Sequence, residues 1–496
     1  MGKTNTKKQR KEEALLIKQQ KEQERLAAEK RLNRIGAIVT AVAVAVIVLV
    51  VGIYFSVNAL LDNGYFLRKD IALTSNSYEI NNAQFSYFLY EKYRDFVNEN
   101  YEDLSTMGLE ADKSLKKQKS YYKDGTWYDH FSSLASKDLA NTLLLCEAAK
   151  ENGVALDEAE MKEIDYIIGE MKADAKGGQK SDTEYFSYMY GRGVTEKDIR
   201  ECLQIELLAK KYKDSLYDNL DITDKEYKQA YNKHSEKYSV ASVLKYTFKY
   251  EELYKNLSEA SSLNDIESAL YSDIIKDYKE NYDTELNREL IDMLVISNMT
   301  GKYSFGDDEI IDKFAFNSGA KKDDFHLEKG DKECTVYILK SDISVNDEKT
   351  ANIKIIYSTN ATYGSEEYAN KFLSSLKEEI ENSENASLRF ATAANLYSED
   401  LETKAIYGAM NNVSSMDLES SLSEWVFAKG RKNGDTEIIK SSEGLYLVLY
   451  EGEGLPTYKA DIFEEKFNEY FDAAIKEYET KYSVKIDEKN IGKISL

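Results

Sequence analysis

The sequence predicts an α+β protein that is attached to a membrane by a single N-terminal helix and ends in an amphipathic helix. Three observations support this fold class. A long uncharged apolar run lies near the N-terminus, helix-period segments with capping signals fill residues 73–237, and the hydrophobic pattern becomes strand-like from about Val240. Two α+β units, 238–345 and 347–456, and a C-terminal segment, 457–496, complete the predicted organisation.

The apolar run from Ile35 to Phe55 contains no charged residue. As a helix it is about 30 Å long, which matches the hydrocarbon core of a bilayer. We therefore predict a transmembrane signal anchor over residues 35–57, since a buried core helix is usually shorter. Cleavage as a signal peptide is the other alternative, but the run is longer than a typical signal core and no A-x-A-like site follows it.

Charge gives the orientation of this anchor. Residues 1–34 carry eleven Lys and Arg against five Glu, whereas the whole chain has a formal net charge of −23. The positive-inside rule places this solvated basic tail in the cytoplasm and the large acidic part outside the cell membrane. The acidic exterior argues against nucleic acid as a partner, because nucleic-acid binders need a basic footprint.

Cysteine and histidine are too few and too scattered for several kinds of site. The odd number of cysteines predicts no disulfide framework, and Cys146 and Cys202 fit small core positions within helical patterns. The histidines are not close in sequence to one another or to a cysteine, so we predict no metal site and no cofactor. These residues are Cys146, Cys202, Cys334, His130, His234 and His326.

Residues 73–237 read as a series of capped helices. The predicted cap pairs are Asn81 with Gln84, Asp157 with Glu160, Ser181 with Glu184, Thr195 with Asp198, and Thr223 with Glu226. The C-terminal helix, 457–482, carries an apolar face that must pack on another element, for which the helical region is the natural partner. That face consists of Phe463, Phe467, Tyr470, Phe471, Ala474 and Tyr478, and a short strand-like segment, Val484 to Ile486, follows.

The two α+β units form a weak internal repeat of roughly 110 residues. A shift of 111 aligns four pairs of residues, and the first strands align at almost the same shift; chance similarity of two small units is the alternative. The pairs are Phe316 with Phe427, Gly319 with Gly430, Asp324 with Asp435, and Leu327 with Ile438.

The second unit resembles the parvulin family of peptidyl-prolyl isomerases. The resemblance rests on the first strand ANIKIIY, on the helix segment RFATAANLYSED (Arg389 to Asp400) and on the segment Val426 to Gly452. The preceding helices resemble the N-terminal chaperone domain of the SurA and PrsA foldases, so helix 457–482 would complete a chaperone domain formed by 73–237. Unit 238–345 would be a second, degraded parvulin-like domain.

The resemblance also implies site residues. Asp400 matches the central acidic position of the family, whereas its two strand histidines fall at Ile353 (or Lys354) and Tyr446. Asp400 and Tyr446 are therefore the candidate catalytic residues. The groove for the substrate proline would include Ile353, Leu418, Leu422 and Phe427, although Leu and Phe there fit core packing equally well.

Three functions stay open at this point. The first is a membrane-anchored extracytoplasmic chaperone or foldase that binds unfolded or newly exported polypeptides, as the resemblance implies for a Gram-positive bacterium. The second is an active prolyl isomerase, which the missing histidines disfavour. The third is a scaffold at the cell envelope without chaperone activity. The resemblance to SurA and PrsA leaves homodimerisation open.

Overall fold

The computed structural model describes residues 4–111, 113–317, 319–330 and 332–494. The first three residues of the predicted basic tail and the last two of the predicted C-terminal segment lie outside these described residues. The chain forms two compact units. The first comprises Met1–Ala140, Lys172–Cys202 and Val484–Leu496, and the second comprises Asn141–Met171 and Leu203–Ser483.

Helices and strands together confirm the predicted α+β class. In chain order the α-helices are α1 (Thr4–Asp62), α2 (Tyr65–Lys69), α3 (Asn82–Glu99), α4 (Trp127–Glu151), α5 (Glu158–Gly177), α6 (Asp182–Tyr190), α7 (Glu196–Asp218), α8 (Asp224–Lys233), α9 (Glu251–Tyr254), α10 (Leu263–Tyr282), α11 (Arg288–Leu294), α12 (Glu309–Ile311), α13 (Glu366–Glu381), α14 (Ala386–Tyr397), α15 (Leu401–Ala405), α16 (Ser420–Val426), α17 (Thr457–Lys481) and α18 (Glu488–Ile491). The strands are β1 (Ile71–Thr74), β2 (Glu79–Asn81), β3 (Ser239–Thr247), β4 (Thr300–Ser304), β5 (Phe325–Lys329), β6 (Cys334–Leu339), β7 (Ser344–Val345), β8 (Thr350–Thr359), β9 (Ala409–Ser414), β10 (Thr436–Lys440), β11 (Gly444–Glu453) and β12 (Lys485–Ile486).

Helix α1 runs without a break from the basic tail through the apolar run to Asp62. Its apolar side chains are exposed along the run, Val48 by 64% and Phe55 by 67%. Among the described residues, α1 provides the one helix that is long and apolar enough to cross a membrane, judged by length and composition. The helical form of the predicted span is therefore confirmed.

The predicted helix starts are capped. In each predicted pair the backbone N–H of the first residue donates to the side chain three positions later, which satisfies a group that helix geometry leaves unpaired. The pairs are Asn81 with Gln84, Asp157 with Glu160, Ser181 with Glu184, Thr195 with Asp198, and Thr223 with Glu226.

The first unit contains a small sheet in the order β12-β1-β2. The predicted strand-like segment after the last long helix is confirmed, because Ile486 pairs with Leu73. Around this sheet the core includes Trp127 and Phe131, whose rings stack 5.5 Å apart. The hydroxyl of Tyr128 donates to the carbonyl of Ile491 at 2.5 Å, so the C-terminal residues are held against α4.

The second unit contains two sheets with the same topology. The first has the order β4-β3-β6-β5 with β7 also paired to β3, and the second has the order β10-β11-β8-β9. Written in reverse, the second order is β9-β8-β11-β10, in which each strand takes the place of its counterpart in β4-β3-β6-β5. All of these strand pairs are antiparallel in both sheets. The internal repeat inferred from sequence is therefore a repeat of structure.

The closing hairpins of the two repeats correspond at the predicted shift of 111. The carbonyl of Asp324 accepts from the N–H of Leu339 at 2.9 Å, and the carbonyl of Asp435 accepts from the N–H of Tyr450 at the same distance. The residues that precede these aspartates, Asp323 and Gly434, both have left-handed φ angles, of 72° and 92°. Because the same backbone hydrogen bond and a left-handed residue before it recur at a constant offset, chance similarity is a poor explanation.

The C-terminal helix α17 packs on the helices of the second unit. The ring of Tyr217, on α7, lies 4.9 Å from that of Phe463 and 4.8 Å from that of Phe467. The hydroxyls of Tyr212 and Tyr478 are 3.0 Å apart. Three residues of the predicted aromatic face, Phe463, Phe467 and Tyr478, thus pack on α7 as expected, whereas Tyr470 is 43% exposed.

All three cysteines are buried thiols that form no disulfide. The Cys146 thiol donates to the carbonyl of Ile205 at 3.3 Å, and burial raises its pKa to about 12. A thiol with so high a pKa is a poor nucleophile. The expectation of small core residues holds for Cys146 and Cys202.

Candidate functional site

The sheet of the second repeat has two faces with different coverings. On one face α13 and α14 build a closed core with residues such as Ile356, Leu373 and Phe390. On the other face, Leu422 and Val426 of α16 pack against residues of the sheet, among them Val413 of β9. The second face bears the predicted site, and we refer to it as the α16 face.

The centre of the α16 face is ordinary core. Ile353, Val448 and Val426 are each at most 2% exposed, and Leu422 is 3% exposed. The prediction that Ile353 and Leu422 line a groove is therefore not realised, because neither offers surface to a bound chain. Lys354, the alternative to Ile353, points to the opposite face, where its ammonium is 2.9 Å from the hydroxyl of Ser387.

The rim of the α16 face is apolar and half-buried. It includes two of the predicted groove residues, Leu418 and Phe427, together with Met410, Trp425 and Tyr446, all of which pack against the buried cluster. Each of these side chains packs partly against the core and keeps part of its surface exposed to solvent. Of the alternatives left open by the sequence, core packing applies to Leu422, while a groove role for the half-buried Leu418 and Phe427 stays a prediction.

Tyr446 and Tyr357 form an aromatic pair at one end of this face. They lie directly opposite each other on β11 and β8, and their ring centroids are 4.7 Å apart. The Tyr446 hydroxyl donates to the carboxylate of Glu419 at 3.3 Å. Burial, reinforced by the charge of Glu419, raises the pKa of Tyr446 above its ordinary value. The phenol is therefore protonated and a hydrogen-bond donor throughout the physiological pH range.

Asp400 lies beside this pair but is engaged in structure. It is the N-cap of α15, and its carboxylate accepts from the N–H of Glu402 at 3.2 Å and from the hydroxyl of Thr403 at 2.8 Å. Its charge contributes to the raised pKa of Tyr446. Asp400 thus acts on the tyrosine electrostatically, while its hydrogen bonds serve the start of a helix.

The first repeat has different residues at the tyrosine positions. Thr247 lies opposite Thr335, and their hydroxyls are 2.8 Å apart. If Thr335 corresponds to Tyr446 at the shift of 111, the pairing makes Thr247 the counterpart of Tyr357 at a shift of 110. The first strands of the two repeats therefore align at a shift of 110, one less than the shift of 111 for the closing hairpins. The first repeat has two threonines where the second has the aromatic pair.

The helix segment that carries the parvulin resemblance serves mainly to pack the domain. Phe390 is fully buried in the core of the other face. The Arg389 guanidinium binds the Glu163 carboxylate through two nitrogens, with Nε–Oε2 at 2.9 Å and Nη2–Oε1 at 3.0 Å. The Tyr397 hydroxyl donates to Glu170, also on α5. The segment therefore holds the repeat to α5, away from the α16 face.

Sequence reasoning missed Tyr357 and Glu419. The strand alternation that puts Ile353 on the α16 face also puts Tyr357 there, since residues two apart share a face. That signal was present in the sequence, but the register that sets Tyr357 opposite Tyr446 was not. Glu419 precedes a short helix and has no sequence pattern that distinguishes it from other exposed acidic residues.

This arrangement is suited to binding more than to proton transfer. The half-buried apolar rim can receive side chains of an extended polypeptide, and the Tyr357 hydroxyl can donate a hydrogen bond to one of its carbonyl groups. The repeat from 347 to 456 contains no histidine. In the part of the chain that the structure describes, no group of three His, Cys, Asp or Glu residues is arranged to hold a metal ion.

Comparison with known proteins identifies the second repeat. A Rotamase family model, described as a PPIC-type PPIASE domain, matches residues 354–452. No curated protein sequence is significantly similar to the chain. Similar solved structures include PrsA from Bacillus subtilis, at 13% identity over 72% of this chain and 87% of that chain with a TM-score of 0.21.

Two further structures are similar at the same level. PrsA from Bacillus anthracis has 9% identity over 69% of this chain and 95% of that chain, with a TM-score of 0.18. One of the SurA-like chaperones PEB4 and Cj1289 of Campylobacter jejuni has 13% identity over 68% of this chain and 98% of that chain, with a TM-score of 0.18. The parvulin resemblance of the second repeat is confirmed by the family model: residues 354–452 match a PPIC-type domain, in a chain that is similar to PrsA and SurA-like proteins.

Proposed function

We propose that this protein is a membrane-anchored extracytoplasmic chaperone or foldase that binds unfolded, newly exported polypeptides. In this proposal the PPIC-type repeat is used for binding and contributes little or no prolyl isomerisation. The observation that carries the proposal is the half-buried apolar rim of the α16 face, which ends in the Tyr357–Tyr446 pair and holds no histidine.

Binding and isomerisation make different demands on such a site. The barrier to rotation about a prolyl bond is about 18–20 kcal/mol, and an enzyme must bind the twisted amide better than either planar form. An apolar rim gains free energy from any extended apolar segment, so it binds planar and twisted forms alike. The tyrosines can donate hydrogen bonds, but Tyr446 already donates to Glu419.

The isomerase alternative is tested with the full chain reconstituted in lipid nanodiscs and a substrate whose refolding is limited by a prolyl bond. We expect no acceleration over empty nanodiscs. Acceleration that is lost in Tyr446→Phe and in Asp400→Ala would establish an active isomerase and contradict the proposal. Tyr446→Phe keeps the ring and removes only the hydroxyl, so it separates hydrogen bonding from packing.

The binding function is tested by suppression of aggregation of several chemically unfolded clients, again with the full chain in nanodiscs. We expect suppression that increases with concentration and weakens in Phe427→Ser. The matched control is Tyr368→Ser, which removes an aromatic side chain, 63% exposed on α13, from the same repeat. Suppression of no client by the folded protein would favour the alternative of an envelope scaffold.

The proposed location follows from charge and from α1. The basic tail would lie in the cytoplasm, and the remaining chain, which carries most of the negative charge, would lie outside the cell membrane. Protease added to intact cells should digest the C-terminal part and spare the basic tail; the reverse pattern would contradict this orientation. Homodimerisation stays a prediction, for which sedimentation of the nanodisc-embedded chain is the direct measurement.

The predicted domain boundaries also stay proposals. Residues 73–237 with helix 457–482 would form the helical chaperone domain, and 238–345 and 347–456 the two parvulin-like domains. The Thr247–Thr335 pair makes the first of these the poorer candidate for recognition of a peptide, because two small hydroxyl side chains replace two large aromatic ones at the equivalent place.

A further inference from the structure

The end of the anchor helix is joined to the first unit by direct backbone contact. Gly64, which follows α1, has a left-handed φ of 69°, and a Cβ at this position would lie 2.1 Å from the carbonyl oxygen of Gly193. A Cβ on Gly193, whose φ is 97°, would lie 2.6 Å from the carbonyl oxygen of Leu61. Only glycine fits at both positions, so the chain leaves the apolar helix without a flexible linker.

Polar contacts hold the same junction on both sides of the glycines. Nε of Arg192 is 2.7 Å from the carboxylate of Asp62, and its Nη2 is 2.9 Å from the side-chain oxygen of Asn58. The Arg68 guanidinium binds the Asp198 carboxylate, which is 2% exposed, and the hydroxyl of Thr195 at 2.9 Å. These contacts fix α2 and the 191–195 loop relative to the last turns of α1.

Length determines the depth at which this junction would lie in a bilayer. The chain is free of charged residues from Ile35 to Leu61, and as a helix this stretch is about 40 Å long. That length matches a bilayer including its headgroup layers, about 40–45 Å. Asp62 would therefore lie at the outer headgroups, and Gly193, which touches Leu61, would lie at the same level.

The surface beside this junction has the composition of a membrane interface. Tyr65 and Phe66, on α2, are 45% and 44% exposed, with ring centroids 5.5 Å apart. The Lys69 ammonium lies 4.9 Å from the Tyr65 ring centroid. Aromatic rings prefer the headgroup region, and a nearby lysine can reach lipid phosphates while its stem stays in apolar surroundings.

We propose that α2 is a second membrane contact, in which Tyr65 and Phe66 insert among the outer-leaflet headgroups and Lys69 binds lipid phosphate. This inference rests on the proposed membrane anchor, with which α2 is continuous. Its consequence is that the first unit is held at the membrane surface in a defined orientation, where it meets polypeptides as they emerge, and does not swing on a tether.

The test uses the full chain in phosphatidylcholine–phosphatidylglycerol vesicles, with an environment-sensitive fluorophore attached to single introduced cysteines. The positions are Phe66→Cys on α2, Val48→Cys within the apolar run, and Tyr101→Cys, whose native side chain is 77% exposed in the same unit. The three native cysteines are buried, so the introduced thiols react selectively. Quenching is measured with doxyl lipids labelled near the headgroup or near the chain end.

We expect the label at position 66 to show a blue-shifted emission and a loss of intensity with the headgroup quencher, and the label at 101 to show neither. A label at 66 that behaves like the one at 101, while the label at 48 is quenched from the chain ends, would overturn the α2 contact and leave the anchor intact. Absence of quenching at 48 would instead overturn the anchor, so the two failures are distinguishable.

The junction itself is tested in the same vesicles. Gly193→Ala places a Cβ against Leu61 and Gly64, and it should reduce headgroup quenching at 66 without changing quenching at 48. Arg68→Gln disturbs the junction without adding volume and covers the case in which Gly193→Ala fails to fold. Unchanged quenching at 66 in a folded Arg68→Gln protein would show that the polar contacts do not position α2.

Discussion

Substitution of Asp198 allows a quantitative test of the contacts that stabilise the first unit. Its carboxylate is 2% exposed and accepts from Nε of Arg68 at 2.9 Å, from the N–H of Thr195 at 2.8 Å and from the hydroxyl of Thr195 at 2.7 Å. Asp198→Ala removes the cap partner of α7 and leaves the Arg68 guanidinium without its carboxylate. Both losses destabilise the first unit.

The size of the effect follows from these contacts. Loss of a helix cap costs about 1 kcal/mol. Breaking a fully buried ion pair costs about 3–5 kcal/mol, and we take about 2 kcal/mol because the Arg68 side chain is 31% exposed and partly hydrated. The sum, about 3 kcal/mol, corresponds to a Tm decrease of about 6–12 °C for a unit of this size.

The assay is thermal unfolding of the full chain in detergent, followed by the fluorescence of Trp127 in a Trp425→Phe background. Trp127 is fully buried in the first unit, and the chain contains only these two tryptophans, so the signal reports that unit alone. Asp138→Ala is the matched control, because its partner Lys92 is 2.7 Å away in an exposed pair worth at most about 1 kcal/mol. A shift for Asp198→Ala no larger than that of the control would refute the reasoning.

Three further predictions concern the second unit. Partial desolvation of the exposed Asp461 carboxyl, with the nearby charge of Glu465, raises its pKa to about 6, so the charged form is disfavoured in the folded state and stability falls as pH rises from about 4 through 6. Asp461→Asn should therefore raise the free energy of unfolding at pH 8 by less than about 1 kcal/mol and leave it unchanged at pH 4, as measured by urea titrations at the two pH values. Arg389→Ala leaves the Glu163 carboxylate, whose side chain is 8% exposed, without its guanidinium partner, and should lower the free energy of unfolding by roughly 3–5 kcal/mol in urea titrations. The loss in Arg389→Lys should be intermediate, because lysine keeps the charge but not the two-nitrogen geometry. Equal losses in the two variants would contradict a bidentate role. In Gly408→Ala the new Cβ would lie 2.6 Å from the carbonyl oxygen of Ile355, at a residue whose φ is 75°. The free energy of unfolding should therefore fall by at least about 1 kcal/mol in the same titration. An unchanged midpoint would contradict the close approach of these two segments.

Local features of the fold could be predicted because their causes lie within a few residues. A cap such as Thr223 with Glu226 forms within one helical turn, so its sequence and its hydrogen bonds occupy the same short segment. The closing hairpins could be predicted for the same reason. The offset of 111 found in the sequence also separates the equivalent backbone hydrogen bonds of Asp324 and Asp435. Amphipathic α17 required a partner, and the helical region supplied one.

The site could be predicted only in part, because strand register decides which residues share a face and meet. Ile353 was assigned to the groove by its place in a motif, but it lies at the centre of the sheet and is fully buried. Tyr357, four residues later on the same face, reaches the open end. The sequence does not reveal this difference, since it depends on where α16 covers the sheet.

Asp400 illustrates a second limit. A carboxylate directly before a short helix satisfies two patterns at once, because N-caps and catalytic acids are drawn from the same residue types. Its hydrogen bonds to Glu402 and Thr403 account for its presence without any catalytic role. The Asp400→Ala variant is therefore expected to lower stability even where it changes no activity, and only Tyr446→Phe isolates the chemistry.

The two repeats together show how one scaffold keeps its strand order while the side chains on one face change. Both retain the same strand order and the same closing turn, which depend on core packing and backbone hydrogen bonds. At the open end of the face, one repeat carries two hydrogen-bonded threonines and the other a tilted pair of tyrosine rings. The buried positions change as well, since at the offset of 111 Tyr337 of β6 corresponds to Val448 of β11 and Leu339 to Tyr450. The two repeats therefore share their backbone pairing, and a catalytic network common to both would have kept the same residues at the open end of the face.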